Sequence, residues 1–312
     1  MAWWCENKKI RKLHKLYRWL TLYWYNLSNG GCGPSPTSAI FFLESDMKKI
    51  ICISGGKDST ALMLLSLSYS DCIYIFCDTD WEHPLTYEYL TYLNKTFLDD
   101  SLITLKPIKY SGFEDLSLKK KRVPSAMARF CTEALKLEPT KLYIKQFLPD
   151  VEIYLGVRAD ESFKRSLLKE KAFADYYGCY LVRPLLKWTA KDCFDLLNKF
   201  DCRPNPLYKK GMKRVGCFPC VLINKKELLN MIRYFPEVKE KIKNLEDKLG
   251  RSFFPPNYIP ERFQTGYDPK SGKNFPKADD VFDYITRNEN QLDLFSDDFS
   301  EQSCISYYSI CE

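Results

Sequence analysis

A β-rich apolar run, Ile50–Ile53, ends in Ser54-Gly55-Gly56 and passes with no spacer into the helix-forming Lys57-Asp58-Ser59-Thr60. This junction constrains the fold more than any other part of the chain. Two glycines between a strand and a helix let backbone N–H groups come close to a ligand. The first turn of the helix adds unpaired donors and the positive end of its dipole. Lys57 adds a mobile charge, and Ser54 and Ser59 add hydroxyl donors. A Gly-rich turn with only a connecting role would carry two glycines without the Lys-Asp-Ser that follows them here.

From Met47 onward, apolar runs alternate with segments of helical period. Ile50–Ile53, Ile73–Phe76, Leu102–Leu105, Ile153–Leu155 and Tyr180–Val182 read as buried strands, and Thr60–Ser68, Leu85–Phe97, Thr140–Phe147 and Ala190–Phe200 as helices. The pattern predicts an α/β fold, a doubly wound parallel sheet with helices on both faces and a helical, cysteine-containing C-terminal region. Ligands on such sheets bind at the carboxyl ends of the strands, which points to the loops after Ile53, Cys77 and Gly156. Four regions are expected: an extension over 1–46, the α/β domain over 47–225, a helical and Pro-rich region over 226–287, and an acidic mobile tail over 288–312. Residues 1–46 mix Trp and Tyr with basic residues, and their apolar part is too short and too charged to span a membrane. Met47 reads as an independent start; an amphipathic helix packed on the core is the competing reading of 1–46.

Two histidines in 312 residues argue against a His-based triad or a multi-His metal site. Thirteen cysteines without a signal peptide point to thiol or metal chemistry in a reducing cytoplasm. The net charge of +7 suits a negatively charged partner such as a nucleotide or a nucleic acid.

Ser54 to Ser59 match every fixed position of the Ser-Gly-Gly-x-Asp-Ser signature, and the chain resembles the PP-loop ATP pyrophosphatase superfamily on that account. A Walker A loop would need longer spacing before its Gly-Lys-Ser/Thr. The resemblance implies an adenine nucleotide α-hydrolase-like fold that cleaves ATP between its α and β phosphates. Ser54, Gly55, Gly56, Lys57, Asp58 and Ser59 would hold the pyrophosphate with Mg2+ bridging its oxygens, Lys57 and Asp58 being catalytic.

Other motifs narrow the branch. Asp78-Thr79-Asp80-Trp81-Glu82-His83-Pro84 is similar to the Asp-Thr-Gly-x-Glu-x-Pro stretch of phosphoadenosine phosphosulfate (PAPS) reductases, with Asp80 in place of the glycine. Gly156-Val157-Arg158-Ala159-Asp160-Glu161-Ser162, followed by Arg165, is similar to that branch's Gly-x-Arg-x-x-Glu-Ser segment. Arg183-Pro184-Leu185, Asn205-Pro206-Leu207-Tyr208 and Arg214-Val215-Gly216-Cys217-Phe218-Pro219-Cys220 extend the likeness over residues 48–225. Asp78, Arg158 and Arg165 are candidate nucleotide contacts, since a planar guanidinium suits phosphate or sulfate oxygens.

Cys217 and Cys220 have the two-residue spacing that lets two thiolates share one metal centre. In iron–sulfur members of the superfamily, a cysteine placed like Cys131 joins such a pair around a [4Fe–4S] cluster, whose open iron would carry a sulfur atom. A redox dithiol, a structural zinc half-site completed by Cys202 or a tail cysteine, and buried thiols remain open as alternatives. Cys5, Cys32, Cys52, Cys72, Cys77, Cys179 and Cys193 read as core or incidental residues. The reductases' Glu-Cys-Gly-Leu-His tail motif is absent, which leaves Cys304 and Cys311 as candidate sulfur carriers, nucleophiles or a fourth ligand. Gln291-Leu292-Asp293-Leu294-Phe295 resembles the peptide by which bacterial DNA-processing proteins dock on the sliding clamp.

The expected function is ATP-dependent sulfur transfer. Adenylylation of an acceptor such as a nucleic acid, by analogy with DNA phosphorothioation enzymes, would release pyrophosphate, and sulfur from the cysteine centre, reloaded by a donor protein, would displace AMP. The alternatives are an APS or PAPS reductase using Cys304 or Cys311, and a non-catalytic, DNA-associated nucleotide-binding adaptor.

Overall fold

The computed structural model describes residues 47–288. Residues 1–46, the clamp-like peptide Gln291–Phe295, and Cys304 and Cys311 lie outside them.

The main sheet is built from β1 (Lys48–Cys52), β2 (Cys72–Cys77), β3 (Ile103–Leu105), β4 (Val151–Tyr154), β5 (Lys171–Ala174) and β6 (Cys179–Val182), in the order β3-β2-β1-β4-β6-β5. Five strands run parallel, and β5 pairs antiparallel with β6. The expectation of a parallel sheet therefore needs one correction. β5 returns on β6 through a short turn containing Gly178 at φ +70°, a connection open only to antiparallel neighbours. Its Lys171 and Phe173 are exposed, so its sequence lacks the apolar run by which the buried strands are legible.

Successive residues of β1 face opposite ways, and each face is covered. Ile51 packs with helices α1 (Lys57–Ser66) and α2 (Pro84–Phe97), while Ile50 packs on the other face with Leu137 and Ile144. Every residue of α1 after Lys57 is buried, as befits a helix enclosed on all sides. Helix α3 (Phe113–Lys120) follows β3. Next come α4 (Phe130–Thr132), a π turn (Glu133–Leu137) and α5 (Glu138–Ile144). The short α6 (Phe163–Ser166) follows β4, and α7 (Ala190–Lys199) follows β6 and packs on α1 through Cys193 and Leu196.

The C-terminal region contains α8 (Lys225–Tyr234), α9 (Glu237–Leu249) and α10 (Ala278–Arg287), and its Pro-rich part also forms a hairpin, β7 (Gly266–Asp268) with β8 (Lys273–Phe275). These helices share one apolar cluster with Trp81 and Phe113, which follow β2 and β3, and with Leu135 of the π turn and Phe218. The helical region is thus packed onto the carboxyl-end loops. Among the described residues, no helix is long and apolar enough to cross a membrane.

Candidate functional site

The phosphate loop has the backbone its sequence demands. Gly55 sits at φ +80°, and a Cβ there would lie 3.1 Å from Thr86 Cγ2. The Ser54 and Ser59 hydroxyls are 3.0 Å apart, and Ser59 Oγ accepts the Ser54 N–H at 3.1 Å. At the start of α1, the Lys57 N–H donates to the Tyr208 hydroxyl at 2.8 Å. An oxygen acceptor therefore stands where the helix N-terminus favours an anion's oxygen. Asn205 braces the loop by donating to the Gly55 carbonyl at 3.1 Å.

Asp58 is buried beneath this loop. Lys57 Nζ lies 2.9 Å from one carboxylate oxygen and Arg158 Nε 2.5 Å from the other, to which the Cys193 thiol also donates at 3.3 Å. Burial works against the charge of Arg158, but Asp58, Asp160 and Glu161 outweigh it and raise its pKa. Arg165, also buried, pairs with Glu161. Both arginines expected to meet phosphate or sulfate engage carboxylates, and Arg158 fixes the loop's own aspartate. The approach is close because Gly156 lacks a side chain: a Cβ there would meet the Asp58 carbonyl carbon and oxygen and Ser59 N at 2.9 Å. Asp78 organises its loop, accepting from the Asp80 N–H at 2.9 Å and the Tyr87 hydroxyl at 2.7 Å.

Asp80, which replaces a glycine of the motif, keeps a left-handed backbone at φ +53°. Aspartate tolerates that region better than most residues. The room comes from across the loop, where a Cβ on Gly112 would fall 2.4 Å from Asp80 Cβ. The acidic loop then zips onto the cysteine loop. Glu82 and Cys217 form a β-bridge, the Phe218 N–H donates to the Trp81 carbonyl at 2.6 Å, and the Trp81 indole N–H donates to the Pro219 carbonyl at 3.0 Å. From α9, Lys241 Nζ donates to the Phe218 carbonyl at 3.0 Å and lies 3.8 Å from the Trp81 ring centroid.

A cleft opens between these parts, lined among others by Ser54, Ser59, Cys77, Glu82, Lys136 and Gly216. Lys136 belongs to the π turn, a distortion that recurs at functional sites. Burial pushes the Cys217 thiol up to about 12, with Lys136 pulling it down and Glu82, Cys220 and Cys131 pressing it up. The three cysteines expected at one centre are thus near enough to feel one another. Even so, among the described residues no three His, Cys, Asp or Glu side chains are arranged to hold a metal ion. Cys131, Cys217 and Cys220 as placed do not fit a cluster or a zinc ion, and no step below runs through either.

The sequence assigns no role to Lys136 or Tyr208, and Cys193 reads there as core or incidental. Tyr208 reaches Lys57 across 151 residues and Cys193 reaches Asp58 across 135, contacts with no local signature. The lysine five residues after Cys131, on a helical segment, was the one signal available for Lys136.

A model of the phosphoadenosine phosphosulfate reductase domain matches residues 48–223. An uncharacterised 37.8 kDa protein of Escherichia phage 186 is 30% identical over 87% of this chain and 98% of its own length. An adenosine 5'-phosphosulfate reductase of Salinibacter ruber is 27% identical over 46% of this chain, which spans 56% of that relative. Among solved structures, a phosphoadenylyl-sulfate reductase from Candida auris in complex with phosphate is similar at 17% identity and a TM-score of 0.46, covering 59% of this chain and 86% of that one.

Proposed function

Because the chain belongs to the phosphoadenosine phosphosulfate reductase domain family, we propose that it is a PP-loop enzyme that uses ATP to activate an acceptor for sulfur transfer. One observation carries the reading: Ser54 and Ser59 of the phosphate loop and Gly216, the neighbour of Cys217, line the same cleft. The fuel and the sulfur chemistry meet, in this reading, at that cleft.

In this reading the loop from Ser54 to Ser59 holds the β and γ phosphates, with the loop amides and the α1 N-terminus as donors. Mg2+ enters with ATP; it keeps most of its waters and needs one or two protein oxygens, so a preformed three-ligand site is not required. An acceptor oxygen attacks the α-phosphorus, the bond to the bridging oxygen breaks, and pyrophosphate leaves. Lys136 neutralises the charge that develops on the α-phosphate oxygens. The terminal sulfur of a persulfide on one of Cys131, Cys217 and Cys220 then attacks the activated atom of the acceptor, and AMP departs with the bonding pair. A second of these thiolates displaces the thiolated acceptor from the carrier, and the disulfide so formed is reopened by an external dithiol reductant. A sulfur donor protein reloads the cysteines. Lys57 and Asp58, the pair that matches ATP-cleaving PP-loops, position the leaving pyrophosphate.

The test is anaerobic pyrophosphate release from ATP in the presence of DNA, tRNA or no acceptor, with Asp58→Ala as control. No release with any acceptor would sink the reading. Iron, sulfide and zinc analysis of anaerobically purified protein tests the cysteines: metal-free protein agrees with their placement, and stoichiometric iron or zinc would overturn it.

Sulfonucleotide reduction is the second reading, supported by the adenosine 5'-phosphosulfate reductases among the relatives. It would use Cys304 or Cys311 as the nucleophile toward adenylyl sulfate. Sulfite release from adenylyl sulfate with an added dithiol reductant and without ATP, lost in Cys304→Ser or Cys311→Ser, would establish it in place of the first.

A further inference from the structure

The positive charge of this chain is concentrated around its cysteines. Residues 116–132 contain Lys119, Lys120, Lys121, Arg122 and Arg129 and no carboxylate. Residues 202–226 contain Arg203, Lys209, Lys210, Lys213, Arg214, Lys225 and Lys226 and again no carboxylate. These two stretches hold 12 of the 47 basic residues, leaving 35 against 40 acidic ones elsewhere, so the rest of the chain carries a net charge of −5. The first stretch contains Cys131 and the second Cys217 and Cys220.

The fold brings the two stretches together. Phe130 and Cys131 pack against the cluster that includes Val215 and Phe218, and the Arg122 guanidinium lies 5.2 Å from the Phe130 ring centroid. Lys120, Lys121, Arg122, Lys209, Lys210 and Lys213 are exposed. Apolar groups stand among them. A tight turn, closed by mutual backbone hydrogen bonds between Ser125 and Ala128, holds Met127 97% exposed. Tyr234, 51% exposed, has Lys210 Nζ 5.1 Å from its ring centroid. Clustered cations interleaved with an exposed aromatic ring and an apolar wedge suit a phosphate backbone with bases that can stack, the usual requirements for binding a single strand.

We infer that these two basic segments form a docking surface for a single-stranded nucleic acid, which presents the acceptor to the cysteines between them. The inference rests on the sulfur-transfer reading for its chemistry but not for its binding.

Fluorescence anisotropy of the full chain with a labelled single-stranded oligonucleotide, over a series of salt concentrations, tests it. Binding should weaken steeply with salt, and replacing Lys120, Lys121, Lys209 and Lys210 together by Gln should lower affinity at low salt by about tenfold or more and flatten the salt slope. Neutralising four exposed lysines elsewhere, Lys95, Lys145, Lys270 and Lys273, should do much less. Met127→Ala with Tyr234→Ala should weaken binding without changing the slope. An equal loss in the two lysine sets, or polyglutamate binding as tight as the oligonucleotide, would overturn the proposal. ATP binding by equilibrium dialysis and pyrophosphate release are measured on the same proteins. No oligonucleotide binding by the wild-type chain, with ATP turnover present, refutes the surface alone, whereas absent turnover with binding intact refutes the sulfur-transfer reading alone.

Discussion

The phosphate loop and the segment that carries Cys217 meet at one cleft, through Ser54, Ser59 and Gly216, but are built differently. The loop is six consecutive residues whose shape follows from a strand end, two glycines and a helix start, with Arg158, Asn205 and Tyr208 as distant braces. The cysteine centre is assembled from the loop after β2, the segment from Arg129 through the π turn, the Gly216–Val221 loop, and Lys241 of α9. Backbone chemistry dictates the first, and tertiary packing dictates the second. Damage to the loop should therefore abolish nucleotide use, whereas damage to the packing around the cysteines should leave nucleotide binding intact.

The largest effect is expected at Asp58. Asp58→Ala leaves the buried Arg158 guanidinium with only the half-exposed Asp160 as its close partner. Removing one member of a buried pair costs about 3–5 kcal/mol, and the remaining partner should hold the loss near the lower figure. Urea denaturation should show that loss together with abolished pyrophosphate release. A variant of wild-type stability would mean that Arg158 does not depend on Asp58. Gly156→Ala comes next. Its Cβ would press on the Asp58 and Ser59 backbone, so overpacking of about 1–3 kcal/mol should accompany weaker ATP binding in equilibrium dialysis.

The same division explains what could be read from the chain. The Ile50–Ile53 strand, the glycine turn and α1 were legible because each depends on neighbours in sequence, and the four expected helices fall where the structure has them. β5 was not legible, since an exposed edge strand lacks a continuous apolar run. Asp80 was recognised as a departure from its motif, but nothing in the sequence tied it to Gly112, which makes room for it. Arg158 was read by residue type as an anion contact. Only the fold shows it turned onto Asp58, 100 residues earlier. Cys131, Cys217 and Cys220 are grouped through the family resemblance, and Cys131 and Cys217 pack on a core shared with the C-terminal helices.

Trp81→Phe probes the cysteine side. It removes the indole hydrogen bond to Pro219 and weakens the stacking of Lys241, together worth about 1–2 kcal/mol. Thermal unfolding should register that loss, while ATP affinity stays within about twofold because no contact to the Ser54–Ser59 loop is touched. Maleimide labelling of Cys217 and Cys220 should accelerate as their loop loosens. A parallel collapse of ATP binding would show that the two regions are one cooperative unit and would break the comparison.

The smallest effect is a pH dependence at His83, which caps α2. Its Nδ1 accepts the Leu85 N–H at 3.0 Å, and its ring packs 4.5 Å from Phe218 and 4.3 Å from Phe235, between centroids. Burial lowers its pKa below the ordinary 6.5, with Lys241 acting in the same direction and Glu237 and Glu88 opposing. The unfolded chain therefore takes up a proton more readily than the folded one. The stabilisation is complete above 6.5 and is lost as pH falls through that value toward the folded pKa, at no more than about 1.4 kcal/mol per pH unit. His83→Asn keeps an N-capping acceptor and removes the titration. The variant should lose less stability than wild type between pH 7.5 and 5.0 in matched urea titrations. Since His83 packs on Phe218 of the cysteine loop, the same acidification should quicken maleimide labelling of Cys217 in wild type relative to the variant before it alters ATP binding, and the reverse order would place His83 on the nucleotide side of the comparison.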